Sequence, residues 1–213
     1  MIQVRLSGVV QLIDGYSRQP AEGAGARFRL DGRPCLPHAK PQAFYAFTGL
    51  KPGPHLVEVS APGFFPGQIG LTAPITTDQP LAEAIALCRL DPDPAYPYPA
   101  WATVIRGQVR AGTADGAILP LSGATIIARY RSRGGKDRTI ATRTAGGPGD
   151  STIGSAYDGR YALALTGTLP GTTVVALTFS APNHADRSET LRIDTMTTTV
   201  LDVVMDESVM RPG

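Results

Sequence analysis

One phrase occurs twice in this chain, and that repetition limits the fold before any single residue is interpreted. The first copy runs Ala43-Phe44-Tyr45-Ala46-Phe47-Thr48-Gly49-Leu50-Lys51-Pro52-Gly53 and, after Pro54-His55, Leu56-Val57-Glu58-Val59-Ser60-Ala61-Pro62-Gly63-Phe64. The second runs Gly159-Arg160-Tyr161-Ala162-Leu163, then Leu169-Pro170-Gly171, then Val174-Val175-Ala176-Leu177-Thr178-Phe179-Ser180-Ala181-Pro182-Asn183. Each copy gives a short strand with a tyrosine, a Pro-Gly turn, an alternating strand and Ser-Ala-Pro. Two copies of one supersecondary pattern within 213 residues predict two like domains.

The repeat extends in both directions. Gly8-Val9-Val10 matches Gly107-Gln108-Val109, and Pro20 with Gly23-Ala24 matches Pro120 with Gly123-Ala124. Alternating runs follow, Ala26–Leu30 and Thr125–Tyr130, and the segments Leu81–Cys88 and Thr197–Met205 close the copies. Apolar residues recur with period two between turn residues, and no window carries a 3.6-residue stripe. With Gly 24 and Pro 19 to supply turns, the chain is expected to be all-β. The domains are placed at 1–90 and 103–208, with a Pro/aromatic linker at 91–102, a long basic loop at 131–158 and a tail at 209–213. Alternating prolines from Pro92 to Pro99 predict a stiff polyproline-like spacer that holds the domains apart.

These motifs resemble the carboxypeptidase regulatory-like, transthyretin-like family of Ig-type β-sandwiches. The resemblance rests on x-Gly-x-Val, Pro-x-x-Gly-Ala, Gly-x-Tyr-x-Phe and Leu-x-Pro-Gly in one order. The first copy supplies Gly8-Val9-Val10, Pro20 with Gly23-Ala24, Phe44-Tyr45-Ala46-Phe47, Leu50-Lys51-Pro52-Gly53 and Ala61-Pro62-Gly63-Phe64. The second supplies Gly107-Gln108-Val109, Pro120 with Gly123-Ala124, Asp158–Leu163 and Leu169-Pro170-Gly171, and departs at Asn183-His184. The resemblance implies two tandem Ig-like/transthyretin-like antiparallel β-sandwiches joined by a Pro-rich linker, used as structural or adhesive modules and not for catalysis. On physical grounds Pro52-Gly53 and Pro170-Gly171 are expected to form type II turns with the glycine at positive φ. Tyr45 and Tyr161 are expected at the core edge, with hydroxyls reaching backbone.

The chemistry of catalysis is thin. His38, His55 and His184 have no metal-ligand spacing, Cys35 and Cys88 form no Cys-x-x-Cys pair, and there is no nucleophile elbow or phosphate loop. No cofactor, metal or enzymatic activity is expected. Without a secretory pattern at Met1–Gly8 the chain is expected to be cytoplasmic as synthesised and the two thiols reduced. Asp91, Asp93 and Asp14-Gly15 offer too few ligands for calcium and read as solvated acids.

Function is expected where the copies differ. Arg131, Arg133, Lys136, Arg138 and Arg143 make a basic hairpin suited to a partner, and Asp31–Pro41 is the variable loop in the equivalent place of the first copy. Tyr96, Tyr98 and Trp101 either dock a partner or pack on the domain ends. Nucleic acid is not expected, because no aromatics interleave the basic residues, and no segment is apolar and long enough to insert in a membrane. The reading is a non-catalytic structural or adaptor subunit that binds proteins or self-assembles, similar to accessory proteins of phage-tail-like contractile particles. The alternative is a carbohydrate- or ligand-binding module with Phe64, Phe65, Tyr96, Tyr98 and Trp101 as a stacking platform.

Overall fold

Period-two alternation becomes strand throughout. A computed structural model describes residues 6–75, 84–112, 116–147, 150 and 154–207, and the one helical element among them is a single 3-10 turn, Ser155–Tyr157. The chain divides into two units, Met1–Pro92 and Asp93–Gly213.

The first unit contains β1 (Leu6–Asp14), β2 (Arg27–Leu30), β3 (Arg33–Cys35), β4 (His38–Lys40), β5 (Phe44–Thr48), β6 (Gly53–Ser60), β7 (Gly67–Ala73) and β8 (Ile85–Leu90). They form two four-stranded sheets, β4-β5-β1-β8 and β3-β2-β6-β7. Alternate residues turn inward, so Val10 and Leu12 of β1 and Val57 and Val59 of β6 are almost fully buried, along with Phe28, Phe47, Leu71 and Leu90. Phe28 packs against both Tyr45 and Phe47, with ring centroids 4.5 and 6.1 Å apart.

The second unit contains β9 (Thr103–Gly112), β10 (Ile118–Pro120), β11 (Thr125–Arg131), β12 (Asp137–Arg143), β13 (Arg160–Leu165), β14 (Thr172–Ser180), β15 (Arg187–Asp194), β16 (Thr198–Val200) and β17 (Val203–Met205). One sheet is centred on β9, flanked by β10, β13, β16 and β17, and the other runs β12-β11-β14-β15. Between them Ile105, Val109, Tyr161 and Leu163 meet Ile126, Tyr130, Leu177 and Phe179 in one apolar core. The chain is thus two tandem β-sandwiches, all-β and mainly antiparallel. In each copy the closing strands pair in parallel: β8 lies parallel to β1, and β16 and β17 lie parallel to β9. In both copies the closing strand follows a strand of the opposite sheet, and such a crossover permits a parallel neighbour where a hairpin does not.

Three sequence expectations change in detail. Gly53 is at positive φ (130°), but Gly171 is not, and the glycine at positive φ before the second Pro-Gly pair is Gly167 (88°), four residues ahead of Gly171. Gly49 (69°) holds the matching place in the first copy, so the shared left-handed turn residue precedes the Pro-Gly pair. The segment 131–158 is not a long loop. It contains the edge strand β12, paired to β11 from Arg131↔Asp137 to Thr125↔Arg143, and the 3-10 turn. Its Thr, Ile and Arg side chains suit a half-exposed edge, and no alternation of apolar residues marks it as strand in the sequence. Nor does the Pro-rich stretch form a polyproline spacer. The N–H of Tyr96 donates to Asp93 O at 3.1 Å, that of Tyr98 to Tyr96 O at 2.9 Å, and that of Ala102 to Pro99 O at 2.8 Å. Successive turns satisfy its backbone, and Asp93 starts them by accepting the N–H of Ala95 on Oδ1 at 2.6 Å.

The tyrosine expectation holds for Tyr161, which is buried and donates to Leu201 O at 2.9 Å. Burial, and then the carboxylate of Asp202, pushes its phenol well above the ordinary tyrosine value. Tyr130 makes a second such contact that the sequence did not announce. Its hydroxyl donates to Thr166 O at 3.0 Å and accepts the N–H of Thr166 at 2.8 Å.

Candidate functional site

The five basic residues of the predicted partner surface separate into two kinds. A tight turn joins β11 to β12, closed by the Ser132 N–H donating to Lys136 O at 2.9 Å. Around it Arg131, Arg133, Lys136 and Arg138 are exposed. The pairing there is Arg131 with Asp137 at 3.0 Å, on side chains 69% and 81% exposed, where an ion pair contributes little. Arg143 stands apart at the far end of β12. Its guanidinium grips Asp150 through two bonds of 2.5 and 2.6 Å, with the carboxylate almost fully buried, so this arginine ties down its own connection.

The aromatic candidates also divide. Tyr96 and Tyr98 are half-buried and lean on each other, ring centroids 4.7 Å apart at 59°. Trp101 is 64% exposed. Phe64 and Phe65 are buried and present no surface for a sugar ring, which removes them from the stacking platform. Of the aspartates expected to be solvated, Asp91 is exposed, while Asp14 and Asp93 accept turn N–H groups. Asp14 accepts the N–H of Tyr16 at 2.7 Å, Asp91 pairs with Arg89 at 3.0 Å, and Asp93 is buried. Burial raises the Asp93 carboxyl above its ordinary value against the lowering effect of the Ala95 and Tyr96 N–H groups. Cys35 and Cys88 are both free thiols, and burial together with Asp91 pushes Cys88 up to about 11.

A concave site lies elsewhere, on the outer face of the β9 sheet. Ile105 and Val109 point into the core, so Arg106, Gln108 and Arg110 point outward along one line. Arg160 of β13 stands directly opposite Gln108. With Tyr157, Tyr96 and Asp202 these side chains line a cavity of about 530 Å³. Gly107, on the same strand, lets the chain pass close beneath the β16–β17 break: a Cβ there would lie 1.9 Å from Leu201 O.

That break also sets the electrostatics. Asp202, lifted between the two short strands, accepts the backbone N–H of Gln108 on Oδ1 at 2.8 Å. Its Oδ2 lies 3.7 Å from Arg110, whose Nε donates to Gln108 Oε1 at 2.8 Å. Gln108 in turn donates to Asp158 O at 3.1 Å. Three arginines therefore face one aspartate, and that aspartate is engaged with Arg110. Arg106 has Ala162 opposite on one side and Val200 on the other, neither with a polar side chain, and its Nε is buried with no hydrogen-bond partner among the described residues. The sequence reading reached one member of this cavity, Tyr96. Arg106, Gln108 and Arg110 alternate with core residues and read as an ordinary solvated face, and Arg160 read only as part of the repeated Gly-x-Tyr motif. Among the described residues no group of three or more His, Cys, Asp or Glu could hold a metal ion, and no helix is long and apolar enough to cross a membrane.

No family model matches the chain, and no curated protein matches it. Among solved structures it is similar to the TIE protein of Bacillus anthracis, at 11% identity and TM-score 0.31, over 95% of this chain and 34% of that one. The chain therefore spans about a third of that protein's length. It is similar to a minor pilin of Streptococcus agalactiae at 9% identity and TM-score 0.30, over 97% and 99% of the two chains. A C-terminal fragment of the pilus adhesin SpaC of Lactobacillus rhamnosus GG gives 11% identity and TM-score 0.31, over 96% and 100%. Likenesses of this depth establish no correspondence between individual residues. The neighbours found include pilins and a pilus adhesin, and the cytoplasmic placement expected from the N-terminal sequence is not retained.

Proposed function

We propose that the chain is a non-catalytic structural or adaptor subunit of a larger assembly, engaging protein partners or further copies of itself through hairpins and loops carried on rigid sandwiches. The observation that carries this reading is the β11–β12 tip. Four cationic side chains surround a tight turn with one carboxylate among them, on strands locked into a four-stranded sheet. A rigid strand pair presents such charges at fixed spacing, which suits an acidic patch on a partner. In finer terms, the two units are sandwich modules of the carboxypeptidase regulatory-like, transthyretin-like kind, and a phage-tail-like contractile particle is one assembly that would use them.

Light scattering on the purified chain, with pull-down from the native host, tests this. The expected result is a mass above that of the monomer or a captured protein, with either one lost when Arg133, Lys136 and Arg138 are all changed to Glu. A strict monomer that captures nothing overturns it. The exposed Trp101 beside the Tyr96–Tyr98 pair favours one second reading, a sugar-binding surface, which a saturable change of Trp101 fluorescence on glycan titration would support.

A further inference from the structure

The cavity on β9 asks for a ligand of defined charge. Arg110 is matched to Asp202, whereas among the described residues neither Arg106 nor Arg160 lies within salt-bridge distance of a carboxylate. An arginine presents a planar fork of N–H donors whose spacing fits the two oxygens of a carboxylate or phosphate. In Arg106 one of those donors, Nε, is buried and without a partner among the described residues, and an unmet buried donor is destabilising. Buried donors left in this state in a native fold call for a physical reason. An oxyanion on the Arg106 guanidinium supplies one: it meets the surplus positive charge, and a small turn of the side chain toward it would bring Nε out of its covered position and into the bond.

We propose that this cavity is a binding site for a small oxyanionic ligand, whose carboxylate or phosphate group is held by Arg106 and Arg160. The volume, about 530 Å³, lies in the range of small-molecule sites, roughly 300–1,000 Å³. Tyr157 and Tyr96 also line the cavity, so the site suits a small acid with an apolar or planar part. The hairpin tip is different in kind, since its cations are exposed around a tight turn. The site stands independently of the assembly reading: a strict monomer that captures no protein yet binds an oxyanion here would sink the one and support the other.

The test uses the full chain at low salt, titrated calorimetrically with citrate, inorganic phosphate and, as a neutral control, glycerol. Nitrogen-15 spectra of the arginine Nε–H groups are recorded alongside. Saturable binding of citrate or phosphate is expected, with the Arg106 Nε–H resonance moving on titration. Binding of citrate alone identifies a carboxylate, binding of phosphate alone a phosphate, and both support the site. Affinity is expected to fall at least about tenfold in Arg106→Gln and in Arg160→Gln, but by less than about twofold in Arg133→Gln at the hairpin tip. Arg160 is exposed, so its variant reports on the site even where Arg106→Gln perturbs folding. Absence of saturable binding, an unmoved Arg106 resonance, or an equal loss in Arg133→Gln overturns the proposal.

Discussion

Gly8 and Gly107 hold the same place in the two copies, yet what stands over them differs. A Cβ at Gly8 would meet the side-chain end of Leu71 at 2.2 Å, and a leucine end can turn away. At Gly107 it would meet the backbone carbonyl of Leu201 at 1.9 Å, fixed there by the Leu201 N–H bond to Arg106 O and by the Tyr161 hydroxyl. Gly107→Ala is therefore expected to lose about 3 kcal/mol in urea denaturation and Gly8→Ala about 1 kcal/mol. Equal losses would mean that the β16–β17 break gives way as easily as a side chain. Asp93 offers a second check at this scale. A carboxyl whose folded value is raised contributes stability below its unfolded value, near 4, and loses it as pH rises through the higher folded value. Asp93→Asn keeps the oxygen that accepts the Ala95 N–H and removes the charge. Its melting temperature should exceed that of the parent chain at pH 7 and match it near pH 3.

Among the elements, the edges and connections depend on a few polar groups that no periodicity discloses. Thr144 is fully buried after β12. It donates to Leu121 O at 2.6 Å and accepts the N–H of Ala124 at 2.9 Å, joining the connection after β10 to the start of β11. Thr144→Val keeps the shape and leaves both backbone groups unmet in a dry site, so a loss of about 2–3 kcal/mol is expected in urea denaturation. In the first unit the turn between β2 and β3 is tied to β6 by His55, whose ring faces Asp31 Oδ2 at 2.7 Å and Lys51 O at 2.9 Å. The Lys51 carbonyl, then Asp31, raises the imidazole above its ordinary value, and His55 with the Leu56 N–H lowers the Asp31 carboxyl. The histidine contribution is full below its unfolded value, about 6.5, and fades as pH rises through the folded one. The aspartate contribution is full above about 3.9 and fades as pH falls through the depressed folded value. Thermal melts of His55→Gln against the parent chain should differ most near pH 5 and converge toward pH 9. A gap that does not change with pH would assign the pair no protonation linkage.

At the scale of the molecule, the doubled phrase placed the strands, the turns and the two-sandwich plan, because period-two burial and Pro-Gly punctuation are local signals that survive in any strand pair. The concave site was not legible. Arg106, Gln108 and Arg110 look like any outward-facing row until the β16–β17 break lifts Asp202 against Gln108, and a break between two parallel partners is a long-range event. Arg143 is a local case: its partner Asp150 lies seven residues on, but no spacing rule marks an ion pair across an irregular connection. What the repeat does argue is autonomy. Each unit closes two sheets over its own buried side chains, the first around Leu12, Val57 and Val59, the second around Ile105, Tyr161 and Phe179. Units of this size bury roughly 60–70% of the surface that an unfolded chain exposes, enough for independent folding. We therefore expect residues 1–92 and 93–213, expressed separately, each to give a dispersed amide spectrum and one cooperative melt. A piece that stays unfolded while the full chain melts cooperatively would show that its strands need the other copy, and the repeat would then describe a shared architecture without separable domains.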